Sequence, residues 1–75
     1  GTLSSTQVGE GVEASISYRD VAKKLLDSDV NLVGVIRNGD VLVQFDNLAL
    51  ARDDRLVYIA SARLDWDSLY ACLSP

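Results

Sequence analysis

Apolar residues at Val12, Ala14 and Ile16 alternate with Glu13 and Ser15, the two-residue period of a strand with one buried face. Ser17-Tyr18-Arg19-Asp20 follows as a helix start. There the Ser17 hydroxyl can accept from the Asp20 N–H, and Asp20 suits the positive end of the helix dipole. Tyr18, Val21, Ala22 and Leu25 then recur at helical spacing, with Arg19, Lys23, Lys24 and Asp27 on the other face. The exit is Asp27-Ser28-Asp29. Leu32-Val33-Gly34-Val35-Ile36 is an uninterrupted apolar run, too short for a helix and expected as a central strand covered on both faces.

Arg37-Asn38-Gly39-Asp40 comes next, and Asn-Gly between apolar runs predicts a type I′ hairpin, because both residues tolerate positive φ. Val41 to Phe45 returns as a strand with Val41, Val43 and Phe45 on one face. After Asp46-Asn47 and the short apolar Leu48-Ala49-Leu50, Arg52-Asp53-Asp54-Arg55 reads as a solvated polar turn. Leu56 to Ala60 is a further strand, and Trp66 to Leu73 a closing helix with Asp65 as N-cap and Trp66, Leu69, Tyr70 and Leu73 on one stripe. The order is strand, helix, three strands, short helix. That pattern is α+β, with a small, mostly antiparallel sheet and the helices on one face.

Residues 1–11 are rich in Ser, Thr and Gly without an apolar period and are expected to form a flexible lead-in, leaving residues 12–75 as a single domain. Gly1, with no Met before it, is expected to be a cloning scar at the start of a piece excised from a longer protein. One domain is all that 75 residues allow. A core this small leaves stability marginal unless something supplements it. A single Cys and no His exclude an internal disulfide and every Cys/His zinc spacing, so self-association, most simply a homodimer, is the expected support.

Net charge −4 disfavours nucleic acid as a partner. The lone thiol fits a reducing, cytoplasmic setting, and no apolar run of ~18 residues is present for direct membrane insertion. Without His as a base, Cys72 and the serines make a poor nucleophilic site, so the chain is not expected to be an enzyme. Asp27-Ser28-Asp29-Val30-Asn31 starts like a calcium loop, but Leu32 and Asn38 stand where its Gly and bidentate Glu belong. Gly9-Glu10-Gly11 lacks the third glycine and the flanking elements of a dinucleotide loop. Arg37, at the end of a buried strand, has two readings: a guanidinium placed to bind a carboxylate or phosphate, or a cross-strand pair with Asp40.

Three blocks together resemble the TrkA C-terminal family, also called the RCK C-terminal domain, of cytoplasmic regulators of potassium channels and transporters. They are Ser17-Tyr18-Arg19-Asp20-Val21-Ala22, Val33-Gly34-Val35-Ile36-Arg37-Asn38-Gly39 and Asp54-Arg55-Leu56-Val57-Tyr58-Ile59-Ala60. The resemblance covers about two-thirds of the chain, residues 12–61. Phe45-Asp46-Asn47 stands where the family usually carries Asn-Pro or Pro-Pro, and Asp53-Asp54 where it usually carries Gly-Asp. The resemblance implies a dimerising regulatory domain behind an upstream Rossmann domain and transmembrane parts. It further implies that a small-molecule effector, such as cyclic di-AMP or another nucleotide, is bound near Arg37 and Asn38. A protein–protein interaction module without a small-molecule site is the competing expectation.

Overall fold

The computed structural model describes residues 1–11, 16–43 and 48–73. Six elements follow one another: β1 (Thr2–Gln7), α1 (Tyr18–Leu26), β2 (Asn31–Arg37), β3 (Asp40–Leu42), β4 (Arg55–Ala60) and α2 (Trp66–Leu73). The strands form one sheet in the order β1-β4-β2-β3, and each neighbouring pair is antiparallel. This is the α+β layout of a four-stranded antiparallel sheet and two helices. β2 lies inside the sheet, between β4 and β3, as its apolar run predicts, but it is not covered on both faces: among the described residues the helices pack on one side alone, and Ile36 on the other is only half-buried.

Local signals account for both helices. Ser17 caps α1, its hydroxyl accepting from the Asp20 N–H at 3.1 Å. Tyr18, Val21 and Leu25 of the expected stripe are buried, while Ala22 is partly so. At the exit, Asp29 takes a positive φ of 61°, and the Val30 and Asp29 N–H groups donate to the carbonyls of Leu25 and Leu26, both at 3.0 Å. Those paired bonds form a helix stop with Asp where Gly is usual. The Asp-Ser-Asp run is thus turn chemistry. Asp65 caps α2 by accepting from the Ser68 N–H at 2.8 Å. Of the α2 stripe, Leu69 and Leu73 are buried, Trp66 packs on the core's edge and Tyr70 is largely exposed.

Asn38 and Gly39 have φ of 53° and 83°, the two positive values that a type I′ turn requires. They join β2 to β3, with Arg37 opposite Asp40. β3 is shorter than the expected Val41–Phe45 strand: it ends at Leu42, and residues 44–47 lie outside the described residues.

The flexible lead-in requires correction. Thr2 to Gln7 pair with β4 over six positions, from Thr2 opposite Ala60 to Gln7 opposite Arg55. Order therefore begins at Thr2, not near Val12. The lead-in lacks an apolar period because the strand's inward positions are taken by Ser4 and Thr6; the buried Thr6 is satisfied by hydrogen bonds, and only Val8, just beyond, adds a large buried apolar group. Most of the strand expected at Val12–Ile16 falls on residues 12–15, outside the described ones. Ile16 is described, and its carbonyl accepts from the Leu50 N–H at 3.0 Å.

A single core lies between the sheet and the helices. Leu32, Val35, Leu56 and Tyr58 from the sheet meet Val21 and Leu25 of α1 and Leu69 and Leu73 of α2. The opposite side of the sheet carries no helix among the described residues, and Val41 and Val43 lie on it, exposed. No helix among the described residues is long and apolar enough to cross a membrane.

Candidate functional site

Arg37 ends β2 on the inward side, where alternation from buried Val35 directs it toward the loop before β4. Its Nε donates to Asp54 Oδ1 at 2.8 Å and one terminal nitrogen to Asp54 Oδ2 at 2.7 Å. The same terminal nitrogen donates to the Ala49 carbonyl at 2.8 Å. This fork fixes guanidinium and carboxylate in one plane. The expected pairing with Asp40 holds for the backbone register alone; the side chain turns away to Asp54.

Asp54 corrects the reading of Arg52 to Arg55 as a solvated turn. Its side chain is only 3% exposed, and Oδ2 also accepts from the Ala51 N–H at 2.8 Å. Asp53 before it has φ 75°, a conformation Asp tolerates better than most non-Gly residues. That twist drives Asp54 inward while Asp53 remains exposed, accepting from the Gln7 side chain at 3.3 Å. Burial pushes the Asp54 carboxyl up, yet the bonds from Arg37 and Ala51 and the guanidinium charge outweigh it and hold the group below the usual carboxylate range. The Asp54 hydrogen bond raises the Arg37 pKa above an already high value, against a smaller effect of burial.

The effector candidates thus have different standings. Asn38 is exposed at the hairpin tip, its backbone spent on the turn. The Arg37 side chain is 32% exposed, with two of its three nitrogens engaged by Asp54 and Ala49. Its remaining terminal nitrogen makes no hydrogen bond among the described residues. Among the described residues, no group of three or more His, Cys, Asp or Glu is arranged to hold a metal. Cys72 is half-buried and its thiol donates to the Ser68 carbonyl one helical turn back, at 3.3 Å.

Two further clusters escape a local reading. Tyr58, fully buried on β4, accepts from the Leu64 N–H at 2.7 Å and lies 2.8 Å from the Thr6 hydroxyl, which itself donates to the Leu64 carbonyl. A tyrosine on the inward positions of an apolar strand is the signal, since a buried hydroxyl demands a partner. Gly9-Glu10-Gly11 lies against α2. A Cβ on Gly9 would stand 2.5 Å from Trp66 Cδ1, and one on Gly11, at φ 98°, 2.9 Å from Tyr70 Cζ. The Trp66 indole donates to the Glu10 carbonyl at 3.0 Å. These glycines let the chain approach an aromatic pair whose ring centres are 5.8 Å apart. In comparisons with known proteins, the chain matches no protein-family model, no curated protein and no solved structure.

Proposed function

We propose that this chain is a cytoplasmic regulatory domain of a potassium channel or monovalent-cation transporter, one that dimerises and senses a small effector. The observation that carries the reading is where the three blocks resembling the TrkA C-terminal family fall. Ser17 caps α1, Asn38-Gly39 form the hairpin turn, and Asp54 takes Arg37 at the entry to β4. Asp53, standing where the family usually has Gly, adopts a positive φ. The effector would be an anionic small molecule such as cyclic di-AMP or another nucleotide, met by the remaining terminal nitrogen of Arg37 and by Asn38. Such a ligand acts by favouring one arrangement of the attached gate over another, and the difference in its two affinities sets the response.

Thermal unfolding with cyclic di-AMP and a nucleotide series tests the proposal. Ligand at 100 times its dissociation constant contributes about 2.7 kcal/mol, which raises the Tm of so small a domain by roughly 10 °C or more. Arg37→Lys, which keeps the charge and loses the planar fork, is expected to reduce that rise. No shift with any nucleotide at millimolar concentration would sink the effector. The internal engagement of Arg37 favours a second reading, an interaction module without a small-molecule site, which predicts that silence together with capture of a defined peptide partner.

A further inference from the structure

The two faces of the sheet are finished differently. On the side away from the helices stand Leu3 of β1, Val57 and Ile59 of β4, Ile36 of β2, Val41 of β3 and Val43 just beyond it. Leu3, Val41, Val43 and Ile59 are 65, 64, 52 and 39% exposed. Gly34 keeps the centre of this face flat: a Cβ there would meet Val43 Cγ1 at 3.2 Å and the Leu42 carbonyl at 3.1 Å. The valines of the neighbouring strand thus lie over the space a side chain would take. We infer that this sheet face, uncovered among the described residues, is where a second copy of the chain packs, sheet against sheet about a two-fold axis. The inference rests on the dimerising part of the proposed function and names its surface.

Charge selects the occupant. Two copies of a chain with net charge −4 repel. None of the strand positions on this face is acidic: Asp40 alternates to the helix side, opposite Arg37, and Asp53 touches only the rim, through Gln7. Among the described strand positions the face's one charge is Arg55, whose Nε donates to Ser5 at 2.8 Å. Copies meeting here keep their carboxylates apart. Area agrees. Strands of six, seven, three and six residues cover roughly 350 Å² in plan and, with side chains standing on them, on the order of 600 Å² of accessible surface, the least that a specific dimer buries per partner. Sheets stacked about 10 Å apart and turned by about 30° suit such flat faces. An interface at that lower limit gives a reversible dimer, with dissociation at about 0.1 mM.

Sedimentation equilibrium of the whole chain from about 10 µM to 1 mM tests the inference, alongside Leu3→Asp, Val41→Asp and a control, Leu26→Asp, on the exposed face of α1. The expected result is an 8.1 kDa monomer passing to a dimer as concentration rises. Both face variants should weaken the dimer at least tenfold with unchanged circular dichroism, the control should leave it intact, and added salt should tighten it by screening the net repulsion. If Val41→Asp fails to fold, Leu3→Asp on the far edge strand gives the same readout. A dimer insensitive to the face variants overturns the assignment of this surface while leaving a dimerising regulator standing. A strict monomer at 1 mM overturns both.

Discussion

The inward and outward sides of β4 differ by one residue in sequence and by nearly everything in environment. Leu56, Tyr58 and Ala60 are buried in the core to which both helices contribute, whereas Val57 is half-covered and Ile59 exposed. Both sides are apolar. Hydrophobicity along the strand therefore does not say which face is packed; the amphipathic helices do, because each has a single apolar stripe to bury and both place it on the same side. The remaining face keeps its valines and isoleucines without a covering layer among the described residues, and the proposed pairing of two copies rests on that asymmetry.

The largest effect should come from the inner face. Leu56→Ala removes a fully buried side chain from a central strand and is expected to cost about 2–5 kcal/mol, read as a fall in the urea midpoint at constant m-value. Tyr58→Phe keeps the ring but strips the hydroxyl that accepts from the Leu64 N–H, leaving a donor and the Thr6 hydroxyl short of a partner at a cost of about 1–3 kcal/mol. A loss below a few tenths of a kcal/mol would mean water reaches that corner and that the inner face is less closed than its packing indicates.

Asp54→Asn comes next. It removes the charge of a buried carboxylate and breaks the fork with Arg37, for an expected loss of about 1–2 kcal/mol, since Arg37 is itself only partly covered. The pH dependence has a definite sign. Because the folded Asp54 carboxyl lies below its ordinary value, its contribution is present above about pH 4 and is lost as pH falls through the folded value. Denaturant midpoints of the parent chain and Asp54→Asn should converge on acidification. A constant gap down to pH 2 would show that the ion pair is not what Asp54 contributes.

What could be read in advance and what could not divide along the same line, between local and distant causes. Ser17 and Asp65 announce their helices because the cap and the N–H that donates to it lie three residues apart, and Asn38-Gly39 announces its turn because the two residues themselves supply the backbone geometry. β1 is invisible locally: Thr-Leu-Ser-Ser-Thr-Gln has no apolar alternation, and its partners lie 48 to 58 positions away in β4. Arg37 was open to a neighbour in the hairpin, Asp40, but the carboxylate that can present both oxygens to its fork is Asp54, already anchored by the Ala51 N–H. Gly9-Glu10-Gly11 shows no local reason for its glycines because the rings that require them, Trp66 and Tyr70, sit at the other end of the chain. The effector reading of Arg37 and Asn38 depends on a ligand and therefore remains a proposal for binding measurements.

The smallest effect belongs to the outer face. Leu3→Thr and Val41→Thr replace exposed apolar groups with a residue equally suited to strands. In dilute solution, where the monomer dominates, each should shift stability by no more than about 0.5 kcal/mol. The parent chain should differ from them only when concentrated, because mass action adds dimer stability to the folded state and raises its Tm with concentration. Melting the three proteins at 10 µM and at 1 mM separates the two contributions. Coincident curves at low concentration that fan apart at high concentration locate the value of the bare face in association; curves that separate at both concentrations would show that Leu3 and Val41 stabilise the monomer itself, and that the outer face is packed more closely than its exposure indicates.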